Sequence, residues 1–177
     1  MGAGFQTGEQ VVHAFFERWN AHDSDGVAAL FVDDADFVNA VGIWWRSNCA
    51  ICKALAYGFE RIFGRAKIEL HKVKTRRLHP DIEIVHITST LFGQKTIDGQ
   101  EVEPRPAVLS FVTERKQHGI PILTAHNTDQ IPQTDTLIRA NGSALGVSYQ
   151  QPRRICPELS RELQKALWGL KPDKNAR

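Results

Sequence analysis

Residues 19–45 read WNAHDSDGVAALFVDDADFVNAVGIWW. Large aromatics sit here beside uncharged polar groups, the composition of a pocket wall that is mostly apolar with a few placed polar atoms. Asp23 or Ser24 is placed to cap a short helix whose apolar face is Val27, Ala28, Leu30 and Phe31. Asp33-Asp34 reads as a turn and residues 35–40 as a strand. Gly42 breaks that strand, and residues 43–46 form a second one, so the pair makes a small hairpin. Alternation along the first strand puts Phe37 and Asn39 on one face and Asp36 and Val38 on the other. Trp44 and Trp45 are expected on opposite sides of their strand, one toward a pocket and the other toward a helix or a partner.

On the N-terminal side, Thr7-x-x-Gln10 is a variant of the capping box. Val11, Val12, Phe15, Phe16 and Trp19 follow at helical spacing. On the C-terminal side, Ser47 or Asn48 starts a third helix with Ile51, Leu55, Phe59, Ile62 and Phe63 on one face, and Gly64 ends it. The period then switches to strands: 66–78, basic toward its end; 82–92, apolar on both faces; 107–115; and 120–131. Pro80-Asp81, Asp98-Gly99 and His118-Gly119 supply the turns between them. Helices followed by an antiparallel meander predict an α+β fold. After Pro132 the periodicity fades. Residues 1–132 are therefore read as one domain and 133–177 as a C-terminal arm. Within the arm, 157–168 forms a short helix striped by Leu159, Leu163, Leu167 and Trp168.

The chain of 177 residues is long enough for one domain with a sizeable core. Its net charge of +2 gives no general argument for nucleic-acid binding. The basic cluster Lys72, Lys74, Arg76 and Arg77 is flanked by Glu69 and Asp81, which fits the solvated end of a strand. No apolar run approaches the ~20 residues of a membrane span. Residues 1–6 lack the charged and apolar regions of a signal peptide. Three cysteines, an odd number, fit a reducing compartment, so a cytoplasmic location is expected.

These residues resemble the nuclear-transport-factor-2-like, or SnoaL-like, superfamily, and within it the SgcJ/EcaC-type group. The matching positions are Trp19-Asn20 with Asp23, Leu30-Phe31 with residues 33–39, Gly42 with Trp44-Trp45, and Asn127-Thr128-Asp129, together covering about residues 7–131. The resemblance implies a cone-shaped, curved antiparallel sheet wrapped around N-terminal helices, a deep pocket, and a homodimer through the outer sheet face. It also implies either a cofactor-independent cyclase, isomerase or dehydratase, or a non-catalytic carrier or interaction module. Two positions depart from the group: Ser47 stands where Gly is common, and Leu55 where His is common, which removes one polar candidate from the pocket.

The residues that could carry chemistry lie mainly on the last strand. His126 and Thr128 share one face of it, and Asn127 and Asp129 the other. A buried carboxylate in an apolar cone would have a raised pKa and could shuttle a proton. Asp129 is therefore the first catalytic candidate and His126 the second. Trp19, Phe37, Asn39, Trp44, Trp45, His86 and Asn127 are the expected substrate-binding residues, with Asn39 hydrogen-bonding a substrate oxygen. The substrate class is a hydrophobic, polyketide-like metabolite, because an aromatic wall suits planar rings. Asp33, Asp34 and Asp36 lack the later carboxylate that would help complete a Ca²⁺ shell of about six oxygens. Cys49-x-x-Cys52 lacks both a second pair of zinc ligands and a thioredoxin-like context, so the thiols are read as structural. No glycine-rich phosphate loop is present, and no cofactor or metal is expected.

Overall fold

A computed structural model describes residues 4–96 and 98–130, and the backbone of 135–138 and 144–147. Helix α1, Gly8–Asn20, starts at Thr7, whose Oγ1 accepts the Gln10 N–H at 3.2 Å. The Gln10 side chain reaches back as a capping box requires, but its Oε1 accepts from the Gln6 N–H at 2.6 Å, one residue earlier than usual. Helix α2, Ser24–Ala28, is capped by Asp23, which accepts the Gly26 N–H at 2.8 Å. Helix α3, Asn48–Arg61, is capped by Ser47, whose Oγ accepts the Ala50 N–H at 3.1 Å. Helix α1 buries the stripe its spacing predicts, Val11, Val12, Phe15, Phe16 and Trp19, and α3 buries Ile51, Leu55 and Phe59, whereas Ile62 and Phe63 lie beyond its end and are half-buried.

Six strands form one curved, unclosed sheet. They are β1 (Phe31–Val38), β2 (Trp44–Trp45), β3 (Lys67–His79), β4 (Ile82–Phe92), β5 (Arg105–Glu114) and β6 (Ile122–Asp129), in the order β2-β1-β6-β5-β4-β3. Strands β3 to β6 are an antiparallel meander, and β1 joins its end parallel to β6. Strand β1 departs from the sequence expectation. Asp33 and Asp34 are not a turn: the strand begins at Phe31, and both acids lie in it, exposed. The β1–β6 register shifts between Phe31 and Asp36, and Phe31, Ala35 and Phe37 all remain buried across the irregularity.

Helix α1 lies on the inner face of the sheet. The Phe15 ring sits 5.0 Å from Phe16 and 5.1 Å from Phe111, edge to face, and 6.3 Å from Phe37, stacked. Val85, Ile87, Leu109, Phe111 and Ala125 form the sheet side of this core. Gly8 lets the start of α1 approach β5, because a Cβ there would collide with Thr113 Oγ1. The Gly8 N–H is held by Glu83 Oε2 at 2.9 Å. The basic cluster Lys72, Lys74, Arg76 and Arg77 is exposed on the edge strand β3, where Arg77 pairs with Glu83 at 3.2 Å.

Contacts divide the chain into two compact units, Met1–Gln130 and Ile131–Arg177. The described part of the second is an antiparallel hairpin of β7 (Asp135–Ile138) and β8 (Ala144–Val147). The helix expected over 157–168 lies outside the described residues. Among the described residues, no helix is long and apolar enough to cross a membrane.

Candidate functional site

Between the helices and the inner face of the sheet lies a cavity of about 500 Å³. Phe15 and Trp19 of α1 and Leu55 of α3 line it, with Phe63 from the turn after that helix. Phe37, Trp45, Leu91 and Leu109 supply the strand side. Phe63 can cover this wall because Gly58 has no side chain: a Cβ there would come within 3.0 Å of the Phe63 ring. Leu55 is buried and keeps this part of the wall apolar.

One group of polar lining residues gathers where β6 and β4 end and β5 begins. Register places Ser89 and Asp129 on either side of Ala107, and Asn127 beside Leu109. Arg105 enters from the first residue of β5. Its Nη2 donates to Asp129 Oδ2 in an ion pair, and its Nη1 donates to Gln94 Oε1 at 3.0 Å. The pair is largely covered, with the Arg105 and Asp129 side chains 35% and 27% exposed. Asn127 is half-buried, and its Oδ1 is buried with no hydrogen-bond partner among the described residues. An unmatched amide oxygen is uncommon in a folded interior.

The structure brings Trp19, Phe37, Asn39, Trp45, Asn127 and Asp129 to this one cavity. Three other residues named from the sequence stand elsewhere. His86 and His126 lie on the outer face of the sheet, exposed, on either side of Ser110. His86 Nδ1 lies 2.7 Å from Ser110 Oγ. Alternation excludes them: any strand that turns Val85 and Ile87, or Ala125 and Asn127, inward must turn His86 and His126 outward. Trp44 is 55% exposed and pairs with Val38 on that same outer side, while Trp45 pairs with Phe37. Its indole N–H donates to Asp36 Oδ1 at 2.6 Å, and the Arg46 guanidinium lies 4.8 Å from its ring.

Asp129 also departs from the expected environment. It is half-buried rather than buried, and Arg105 pairs with it. Arg105 is not among the residues expected from the sequence, yet the series Arg105, Ala107, Leu109, Phe111 at period two already assigns it to the inner face. Asn39 has a structural duty beside its place in the cavity. Its Oδ1 accepts from the Val41 and Ile43 N–H groups at 3.1 and 2.8 Å and so shapes the β1–β2 turn. Its side-chain N–H₂ is the group left to face a bound molecule. At the start of α3, Cys49 is exposed, and the half-buried Cys52 donates its S–H to Asp25 Oδ1 at 3.2 Å. That carboxylate, together with burial, pushes the Cys52 thiol above its ordinary pKa. Among the described residues, no group of three or more His, Cys, Asp or Glu side chains is placed to hold a metal ion.

No protein-family model matches the chain, and a search of the curated proteins finds no match. Solved structures do resemble it. One is an uncharacterized protein with a cystatin-like fold from Caulobacter vibrioides, 25% identical, with a TM-score of 0.67, covering 74% of this chain and 92% of that one. A second is a ketosteroid isomerase-like protein from Erwinia carotovora atroseptica, 15% identical, with a TM-score of 0.60, covering 70% and 94%. A third, from Streptomyces avermitilis, belongs to the nuclear-transport-factor-2-like family and carries a provisional dehydratase assignment. It is 13% identical, with a TM-score of 0.60, covering 70% and 93%. The fold is thus cystatin-like, a curved sheet packed against N-terminal helices.

Proposed function

We propose that the cone binds a hydrophobic small molecule with an aromatic or polyene-like body. The observation that carries this reading is the cavity itself: about 500 Å³, walled by aromatic and aliphatic side chains, with Ser89, Arg105, Asn127 and Asp129 placed together among them. That volume lies within the range of about 300–1,000 Å³ seen for small-molecule sites, and a mostly apolar lining with a few placed polar groups is typical of them. Trp19, Phe37 and Trp45 would hold the body of the ligand. Asn39, Asn127 and the Arg105–Asp129 pair would meet its polar atoms.

A second reading adds turnover by a cofactor-independent cyclase, isomerase or dehydratase, as in members of the superfamily that the sequence resembles. One observation favours it: among the described residues lining the cavity, Asp129 is the only carboxylate. Asp129 would take a proton from a carbon beside a substrate carbonyl and return it at another position, with the oxygen held by amide or guanidinium N–H groups. The proposed assembly is a homodimer through the outer sheet face. Half-buried Ile84, Val108 and Val112 on that face support it.

The test is to screen aromatic and polyene metabolites for binding by the full chain and to follow each bound compound for conversion. Binding without conversion across a broad panel selects the carrier. Conversion that survives Asp129→Asn removes the acid/base role. Failure of every apolar compound to bind removes the proposal.

A further inference from the structure

Arg105 and Asp129 present one positive and one negative group side by side at the polar end of the cavity. Each keeps unused hydrogen-bonding capacity. The guanidinium fork has five N–H donors, and among the described residues its bonds go to Gln94 Oε1 and Asp129 Oδ2. The carboxylate can accept about four bonds, and among the described residues only Arg105 donates to it. A head group lying against the pair therefore meets a free donor next to a free acceptor, with no net charge.

We propose that this pair selects, within the ligand class put forward above, molecules whose head group is neutral and both donates and accepts hydrogen bonds, such as a primary amide or a hydroxy-carbonyl. The inference rests on the reading of the cavity as a ligand site. A carboxylate head would face Asp129 and an ammonium head would face Arg105, and each would lose its hydration on entering an apolar cavity. A neutral head that accepts from Arg105 and donates to Asp129 leaves the ion pair intact. Specificity would then come from rejecting charged competitors as much as from attracting the neutral ligand. Arg105 and Asp129 are here determinants of specificity, independent of whether the bound molecule is turned over.

The experiment uses the full chain and the apolar fluorophore N-phenyl-1-naphthylamine as reporter. Its own binding tests the cavity reading, since a chain that does not take it up has no accessible apolar site. Displacement is then measured with decanamide, decanoate and decylamine, each below its aggregation threshold. The wild type should bind decanamide at least tenfold more tightly than either charged compound. Asp129→Asn, which frees Arg105, should shift the preference to decanoate. Arg105→Gln, which leaves Asp129 unpaired, should shift it to decylamine. Thermal unfolding checks each variant, and if Arg105→Gln does not fold, the Asp129→Asn shift alone decides. Reporter binding with equal displacement by the three compounds overturns the inference while leaving the cavity reading standing. A charge preference unchanged in Asp129→Asn also overturns it.

Discussion

Asn20 pairs with Ile68 as one strand residue pairs with another. Its Oδ1 accepts the Ile68 N–H at 2.7 Å, and its Nδ2 donates to the Ile68 carbonyl at 2.9 Å. The end of α1 is thereby tied to the start of β3, and His22 Nε2 adds a contact to the Ala66 carbonyl at 3.2 Å. The Trp-Asn pair near the start of the chain is thus a division of labour: Trp19 lines the cavity while Asn20 fixes the wall that carries it. Removing the Asn20 side chain leaves two half-buried backbone groups without partners. Asn20→Ala should cost about 1–3 kcal/mol in urea unfolding. Asn20→Asp, which keeps the acceptor and loses the donor, should fall between it and the wild type. An unchanged midpoint for Asn20→Ala would remove this tie from the account.

Gly8 and Thr113 are matched by space in the same way. A methyl group at position 8 would collide with Thr113 Oγ1 and come within 3.0 Å of Glu83 Oε2. Thr113 Oγ1 is buried and has no hydrogen-bond partner among the described residues, so packing is what holds it there. Gly8→Ala should destabilise by about 1–3 kcal/mol through overpacking. Thr113→Ala, by removing the oxygen, should make the same change nearly neutral. A double-mutant cycle by chemical unfolding measures this coupling, and simple additivity of the two changes would refute the packing argument.

What is legible in the sequence is local or periodic. Thr7, Asp23 and Ser47 announce helix starts because a cap acts on a backbone N–H two or three residues away. Alternation sets Asn127 with Asp129, and Phe37 with Asn39, because a pleated strand leaves no other choice. The same rule keeps His126 off the wall that carries Asn127, so the two side chains cannot serve one site on a regular strand. Two features are not local. The parallel pairing of β1 with β6 joins a segment near residue 35 to one near residue 125, which no local pattern announces. The Arg105–Asp129 pair joins groups 24 residues apart that only the β5–β6 register brings together. Side-chain function on this fold follows from such register, and fold resemblance alone does not supply it.

Trp44 and Trp45 offer a direct test of which face is the cavity. Trp45 lines it and packs 5.4 Å from Phe37, whereas Trp44 stands in solvent with Asp36 and Arg46. Trp45→Ala should weaken binding of an apolar ligand by about 1–2 kcal/mol, roughly tenfold. Trp44→Ala should leave the affinity within twofold and remove the tryptophan signal that, among the described residues, is most accessible to acrylamide. Equal losses of affinity would place the ligand elsewhere.

Asp129 and His126 separate in a similar way. In any substrate that the full chain converts, Asp129→Asn should lower turnover by about a hundred- to ten-thousand-fold, the usual contribution of a positioned acid or base. His126→Ala should leave turnover unchanged, since His126 faces away from the cavity. Turnover lost in His126→Ala and kept in Asp129→Asn would reverse the assignment.

Cys49 and Cys52 are three residues apart on α3 yet differ in environment. Cys49 is exposed, while the Cys52 S–H donates to the Asp25 carboxylate. Ionising Cys52 would place a thiolate against that carboxylate, so its pKa is raised, and burial acts in the same direction. Because the thiolate is the reacting form, iodoacetamide near pH 8 should label Cys49 well before Cys52. Asp25→Asn removes the opposing charge and should speed labelling of Cys52 several-fold while leaving the Cys49 rate unchanged. Peptide mass spectrometry over a time course resolves the two sites. Labelling of Cys52 ahead of Cys49 in the wild type would contradict the Asp25 contact.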